Sequence, residues 1–567
     1  MKKREKVSTT VIFLIVMFSF VQCKKSSTSA PPPTPPPAPS GFEVIKKTID
    51  AASFTSNQTL YGISTKPVFQ VSFSDRIDKS TVSTAISYRS KSQSSSNFTF
   101  TVSYQNNDST LTISTANDLN YLNEYVFSIS TLLKSVSGKN MSGRIDLNFI
   151  TRIDSSDKFA QLSDSELLDR VQRQTFSYFW EFAHPSSGLA RERSNGDNNT
   201  VTSGGSGFGI MAIITAVHRN FITRAQGLAR MQTIVGFLKN TAQKHKGAFP
   251  HWLNGQTGAT IPFSQKDNGA DLVETSYLIQ GLLCARQYFD DAGAAETILR
   301  NDINAIWQEV QWDFFRKNNE NVLYWHWSPT YNWDMNMPIK GWNECLITYV
   351  LAASSPTHAI PKIVYDAGWA QNGAIKNCGN FFGYTLPLGP DYGGPLFFSH
   401  YSFLGIDPNG LSDPYANYEM QVTNHTKINY EYCKTNPKNY YGYSDRCWGL
   451  TASDIPNGYT ASSPTNDVGV IAPTAALSSF PYTPTESMKA LKFFYYTLGD
   501  KLWTDYGFRD AFSLKDIWFS NSHLAIDQGP IIVMIENYRS GLLWKLFMSC
   551  PEVKTGMKAL GFQSPHL

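Results

Sequence analysis

Near Ser155 the apolar residues of this chain change their spacing, and that change limits what the polypeptide can become. Upstream, PVFQVSFS (67–74), DSTLTIS (108–114) and YVFSIS (125–130) alternate apolar with polar residues between polar turns. A period of two sets one face of a strand on a core and the other in water. Downstream the spacing turns helical in SDSELLDRVQRQTFSYFWEFA (163–183), GFGIMAIITAVHRN (207–220), TRAQGLARMQTIVGFLKNTAQK (223–244) and DLVETSYLIQGLLCARQYF (271–289). It continues so in ETILRNDINAIWQEVQWDFF (296–315), NECLITYVLAAS (343–354), TESMKALKFFYYTLGD (485–500) and QGPIIVMIENYRSGLLWKLFM (528–548). With weaker segments near 359–371 and 413–435, the pattern predicts about ten to twelve helices. The expectation is a multidomain chain: an all-β sandwich over residues 41–152, then an all-α domain over 160–563. Successive helical hairpins suggest an (α/α) toroid, although the same spacing also fits a large irregular bundle.

Two long segments interrupt the helices, 376–410 and 437–484, rich in Gly, Pro, Asn and aromatic residues. Loops of that length in a compact domain are usually functional. The run SGGSGFGI (203–210) follows no strand signal and reads as a flexible loop lining a cleft.

The N-terminus carries Lys2, Lys3 and Arg4, then an apolar run from Val11 to Val21 that ends at Cys23. Such a run is too short to span a bilayer and reads as an export signal. It resembles a bacterial lipoprotein signal over residues 1–23, in which Cys23 is lipidated and anchors the chain to a membrane on the periplasmic or cell-surface side; plain secretion is the alternative. Residues 24–40, KKSSTSAPPPTPPPAPS, favour extended polyproline II and form a spacer. The other six cysteines show no C-x-x-C spacing, which argues against a structural zinc site. Export permits disulfides, and Cys433 with Cys447 is the most plausible local pair; Cys284 and Cys345 read as buried thiols.

The chain holds 49 basic and 46 acidic residues, net +3, without a long basic run. Nothing there marks a nucleic-acid partner, and any polymeric partner is expected to be neutral. No G-x-S-x-G elbow, Walker loop, H-E-x-x-H or dinucleotide fingerprint is present. No metal or cofactor is expected, and the protein is expected to act as a monomer.

Acidic residues gather at helix starts. In KDNGADLVETSYL (266–278), Asp271 and Glu274 fit a capping box, in which the first accepts the N3 amide and the second reaches back to the N-cap amide. Asp267 has no such role. Glu344 follows Gly-Trp-Asn in the first turn expected of its helix, and Asp527 stands where an N-cap belongs, before Gly529 and Pro530. An acid near a helix N-terminus is favourable for dipole reasons alone. These acids, however, sit among aromatic residues, which form 14% of the chain, in GAFPHWLNG (247–255), WHWSP (325–329) and FFSHYSFLG (397–405). His251, Trp252, Trp327, Trp342, His400 and Tyr401 could pack in a core or line a sugar pocket. Cleavage of a glycosidic bond needs two carboxyl groups, one protonated and one ionised.

HPSSGLARER (184–193), GGSGFGIMAI (204–213), PHWLNGQTGATIPFSQKDNGADLVETSYL (250–278), YWHWSP (324–329), GWNECLITYVLAASSPTH (341–358), FSHYSFLGID (398–407) and LAIDQGPIIVMIENYRSGLLW (524–544) resemble glucoamylase-like exported proteins. More narrowly they resemble the bacterial β-1,2-glucanases of glycoside hydrolase family 144. The N-terminal segment resembles bacterial Ig-like domains. The resemblance implies an (α/α)6 barrel that hydrolyses β-1,2-glucan to sophorose and short sophoro-oligosaccharides, endo-acting and inverting, with exo release of sophorose as the alternative. It implies important acids at Asp267, Asp271, Glu274, Glu344 and Asp527. The roles we expect are Glu344 as general acid and Asp527 as base, acting directly or through a water or substrate-hydroxyl relay. Asp267, Asp271 and Glu274 would bind sugar hydroxyls or tune the acid, with His251, Trp252, Trp327, Trp342, His400 and Tyr401 around the sugar. Two other classes remain open: a glycan-binding lipoprotein without turnover, and a polysaccharide lyase, which the acid-rich loops disfavour.

Overall fold

The computed structural model describes residues 41–92 and 98–567. The expected signal, Cys23 and the proline-rich spacer lie outside the described residues.

The N-terminal segment folds as two sheets packed face to face. One runs in the order Ala52–Ser53, Val44–Ile49, Val68–Phe73, Thr110–Thr115, Phe100–Gln105; the other in the order Thr59–Ile63, Ile145–Thr151, Glu124–Ile129, Ile86–Ser90. Alternation decides the packing: in VFQVSF (68–73), Phe69, Val71 and Phe73 are buried while the residues between them are not. Phe69 stacks on Phe127 across the sandwich with ring centroids 4.0 Å apart, and Tyr88 and Phe149 meet the same ring edge-on.

From Asp164 onward the fold is helical. Outer helices Asp164–Trp180, Arg224–Asn240 and Ala294–Glu309 carry one apolar stripe, with Leu167, Leu168, Val171, Phe176 and Phe179 buried in the first. Its N-terminus is set by a capping box between Ser163 and Glu166. The inner helices Ser203–His218, Leu272–Tyr288, Leu346–Ser354 and Ala525–Ser540 have almost no polar face, because neighbours cover them all round. Helix Ser203–His218 packs against Leu272–Tyr288 on one side and Ala525–Ser540 on the other. Leu272–Tyr288 touches Leu346–Ser354, and Ala525–Ser540 touches the short helix Pro473–Leu477. Single turns at Leu396–Ser399 and Ser402–Leu404 fill the remaining inner position. The result is the (α/α) toroid rather than an irregular bundle.

Four expectations need correction. SGGSGFGI is no flexible loop: it forms the first two turns of the inner helix Ser203–His218 and is wholly buried. Its glycines serve close packing, since a Cβ on Gly207 would collide with the carbonyl of Tyr277, and one on Gly281 with the carbonyl of Gly207. The segment 528–548 is two helices, broken where Gly541 adopts φ 67°. The long segments contain order of their own, the hairpins Lys376–Phe381/Tyr384–Leu388 and Ala452–Ile455/Gly458–Ala461. Cys433 and Cys447 are separate buried thiols, not a disulfide.

Candidate active site

A toroid brings the N-terminal ends of its inner helices to one mouth, and there the acids meet. Asp271 caps the helix Leu272–Tyr288, its Oδ1 accepting from the amides of Val273 (3.0 Å) and Glu274 (2.9 Å). The expected capping box is only half formed. Glu274 does not return to the Asp271 amide, which donates to the Phe249 carbonyl at 2.9 Å. Its Oε2 instead accepts from the Gly204 amide at 2.8 Å and the Thr202 hydroxyl at 3.2 Å, tying two inner helices together.

The other oxygen of Asp271 meets two imidazoles. His251 Nδ1 lies 3.0 Å away and His326 Nε2 3.6 Å away, and His326 Nε2 is also 3.2 Å from Asp267. His326 reaches this place because Ala270–Asp271 and His326–Trp327 pair as a short antiparallel ladder with Asp271 opposite His326. Opposed residues point to the same side of a ladder. Burial disfavours both imidazolium charges, yet the surrounding carboxylates outweigh it and hold His251 at about 9 and His326 at about 10. Burial likewise opposes ionisation of Asp271, but the two imidazoles keep its carboxyl well below the usual range. Glu274 is raised, by burial first and by Asp271.

Glu344 stands beside this group, partly open to the cleft. It is not in the first turn of its helix, as expected, but in the turn just before Leu346–Ser354. Asn343 accepts from the Cys345 amide at 2.9 Å and the Ser402 hydroxyl donates to the Glu344 carbonyl, so the backbone is held on both sides. Burial, with the charges of Glu274 and Asp271 behind it, pushes the Glu344 carboxyl up to about 7. A carboxyl at that value can be protonated when it meets substrate and give its proton away.

Asp527 belongs to a second group of acids. Leu524, not Asp527, is the N-cap of Ala525–Ser540; Asp527 is the third residue of the helix and 1% exposed. Its carboxyl lies beside that of Asp510, and burial first, then Asp510 and Asp454, raises it well above the ordinary carboxylate value. Asp454 is paired with Arg193 at 3.2 Å and accepts from the Ser522 hydroxyl. Tyr401 joins the two groups: its buried phenol is raised first by burial and then by Asp527, Tyr459, Glu344 and Glu274.

The aromatic residues divide. Trp252 is half-buried on the strand Trp252–Asn254 and packs with Phe263 (4.8 Å between centroids), which also lies 4.4 Å from the His251 ring and is 51% exposed. Here rings face the cleft beside the acids. Trp327 follows His326 in a strand and so points the other way, edge-on to Phe314 and under Lys246. Trp342 is core, packed among Trp369, Phe403 and His425. His400 is core as well, 2% exposed, with Nε2 3.0 Å from the Ser479 hydroxyl and burial pulling it down to about 3.

Of the residues expected around the sugar, the structure packs Trp327, Trp342 and His400 away from the acids, while Asp267, Asp271, Glu274, Glu344, His251, Trp252 and Tyr401 are brought together. Sequence reasoning passed over His326, Phe263, Asp454, Asp510 and Tyr459. Only His326 had a readable signal, as the middle residue of Trp-His-Trp at strand spacing. One ligand atom each from His251, Asp267 and Asp271 lie within 4.8 Å of one another, near enough to share a cation. His326 adds a second imidazole to the same carboxylates, 3.2 Å from Asp267 and 3.6 Å from Asp271.

An acid-lined cleft at the mouth of an (α/α) toroid, with one carboxyl poised near neutrality and a second acidic group across Tyr401, is the architecture of a glycoside hydrolase. The Glycoamylase family model matches residues 336–551, and a model of bacterial Ig-like domains matches residues 46–151. The endo-β-1,2-glucanase from Chitinophaga pinensis, solved with sophorotriose and glucose, is 55% identical, with a TM-score of 0.70 over 72% of this chain and 100% of that one. The β-1,2-glucanase from Parabacteroides distasonis is 36% identical, with a TM-score of 0.69 over 91% of this chain and 74% of that one. A curated relative, the exo β-1,2-glucooligosaccharide sophorohydrolase (non-reducing end) of Parabacteroides distasonis, is 46% identical over 420 residues. That match takes in 70% of this chain and 58% of the relative, so the chain spans little more than half of that relative's length. The chain belongs to the glucoamylase-like family of glycoside hydrolases.

Proposed function

We propose that this protein hydrolyses β-1,2-glucan within the chain and with inversion, releasing sophorose and short sophoro-oligosaccharides. One observation carries the chemistry: Glu344 is partly open with its carboxyl held near 7, while the Tyr401 phenol feels the charges of both Asp527 and Glu344. Glu344 gives its proton to the glycosidic oxygen, and Asp527 takes one from the attacking water. An inverting pair leaves room for that water, with carboxyls roughly 6.5–9.5 Å apart. Asp267, Asp271, Glu274 and the two histidines form a fixed charged wall suited to sugar hydroxyls, and Trp252 with Phe263 offers apolar ring faces. The linkage rests on the relatives, and a net charge of +3 spread over the chain suits an uncharged polymer.

Endo action follows the Chitinophaga relative, which is fully covered at the higher identity. Exo release of sophorose is the second reading, favoured by the curated sophorohydrolase at 46% identity. Residues 1–23 would export the chain and Cys23 would tether a monomer to the membrane through the spacer.

The test incubates the chain from residue 24 with linear β-1,2-glucan, and in parallel with β-1,3-glucan, β-1,4-glucan and starch, resolving products by length over time. A ladder from β-1,2-glucan alone supports the endo reading; disaccharide alone from the first time point supports the exo reading. No product from any polymer overturns both. Glu344→Gln should lower turnover by roughly 10²–10⁴-fold while substrate still binds.

A further inference from the structure

The base side of the cleft holds more than a base needs. Asp527 and Asp510 are 1% and 2% exposed, their carboxyls lie side by side, and both oxygens of Asp527 and Oδ1 of Asp510 meet no donor among the described residues. Two carboxyls so placed satisfy each other only if one carries a proton, since two carboxylates have none to donate. The partners differ. Asp510 Oδ2 accepts from the Asp454 amide at 2.7 Å, whereas neither oxygen of Asp527 meets a donor among the described residues. The proton at rest therefore belongs on Asp527, and Asp510, with a backbone donor to stabilise its charge, is the ionised member.

The surroundings fix the charge of the pair at one. Arg193, the cation facing it, is engaged with Glu192 at 2.9 Å and Asp454 at 3.2 Å. Asp454 is a third acid beside the pair, and the phenols of Tyr401 and Tyr459 are each raised first by burial and then by Asp527. Asp510 is in turn anchored by its own amide, which donates to the Ser522 carbonyl at 3.0 Å. Its Oδ1 meets no donor among the described residues.

We propose that Asp510 is the positioning residue of Asp527, the two carboxyls sharing one proton that moves to Asp510 when Asp527 accepts a proton from the attacking water. The inference rests on the function proposed above. In the step, the water oxygen forms its bond to the anomeric carbon as the glycosidic C–O bond breaks. The electron pair leaves with the glycosidic oxygen, which takes the proton of Glu344. The water proton goes to Asp527, and the proton Asp527 already carried passes to Oδ1 of Asp510. Glu344 ends as carboxylate and the pair ends neutral; exchange with solvent restores both. Burial first, and the like charges next, raise Asp510 to about 7, so that it can receive a proton near neutrality.

The experiment compares wild type, Asp510→Asn and Asp527→Asn by the pH profile of kcat/KM on β-1,2-glucan and by Tm against pH without substrate. In Asp510→Asn the like charge is gone and an amide N–H replaces it, so the acid limb should fall by about one pH unit or more. With a weaker base, kcat should drop about 10–100-fold while KM stays within about threefold. The native pair holds a proton that the unfolded chain releases above its ordinary value of 3.8, so wild-type Tm falls as pH rises. Both variants should flatten that fall, and Asp527→Asn does so without any need for turnover. An acid limb left in place by Asp510→Asn, or a Tm slope equal to wild type in both variants, overturns the proposal. If wild type cleaves no β-glucan the proposed function falls, and the Tm slopes still decide whether the proton is shared.

Discussion

Asp271 and His326 face each other across a ladder two residues long, the imidazole Nε2 3.6 Å from one carboxylate oxygen while the other oxygen caps a helix. One carboxylate thus ends a helix and anchors a pair of imidazolium ions. Removing His326 should expose how much the site relies on that balance. With His326→Gln, Asp267 and Asp271 keep their charge but lose a cation, and more negative charge beside Glu344 raises its pKa further. The alkaline limb of kcat/KM should move up by about half a pH unit or more. Loss of one partner of a buried pair should cost about 3–5 kcal/mol, measured by denaturant unfolding.

Gly207 tests the packing that brings the two inner helices together. A Cβ there meets the Tyr277 carbonyl, which belongs to a rigid helix and cannot yield. Gly207→Ala should destabilise by about 1–3 kcal/mol or more, read as a lower Tm, and should weaken activity through the displaced Glu274.

His400 should matter to stability and not to sugar. Its ring is neutral and bonded to Ser479 within the core. His400→Phe removes one bond from that buried hydroxyl, which still donates to the Ala475 carbonyl at 2.7 Å, and should cost about 0.5–1.5 kcal/mol in unfolding experiments. Values of kcat and KM should stay within about threefold of wild type, since no contact with the cleft is lost.

Much of this was legible because local and global signals agree. The alternation in VFQVSF and the buried stripe of 164–180 state both the element and the face it hides. Asp271, Glu344 and Asp527 could be picked out because they stand at or beside helix starts, and a toroid collects helix starts; Asp267 was marked by the family resemblance alone. Glu274 misled in detail, because S/T/D-x-x-E spacing cannot show that a glycine amide on another helix will outcompete the N-cap amide. The Ser203–Ile210 glycines misled more, since a run of glycine reads as loop until a partner helix needs the space. Asp454 and Asp510 carried no signal: they sit in short hairpins and turns placed by long-range packing, with neither periodicity nor a cap to mark them. Trp342 and His400 had the right company in sequence and the wrong direction in space.

Phe263 should act on binding alone. It is 51% exposed and, among the rings of the described residues, meets His251 and Trp252 alone, so Phe263→Ala should leave the fold intact. If it supplies an apolar face to a glucose ring, loss of about 1 kcal/mol of stacking should raise KM about fivefold with kcat unchanged. Steady-state kinetics on β-1,2-glucan oligosaccharides separates the two.

Glu344 links activity to stability with a definite sign. Its carboxyl titrates near 7 in the folded protein and near its ordinary 4.5 when unfolded. The native state therefore binds the extra proton between those values, and the favourable contribution is complete below about 4.5 and lost as pH rises through about 7. Above that, the folded protein carries an ionised, half-buried carboxylate beside Glu274 and Asp271, a burden of up to about 3 kcal/mol. Glu344→Gln removes the charge without changing the shape. The variant should unfold at nearly the wild-type temperature at pH 4.5 and about 2–4 °C above it at pH 8, with the gap opening in between. A constant gap across that range would mean that Glu344 ionises like an ordinary surface glutamate, and would remove the physical basis for its role as the proton donor.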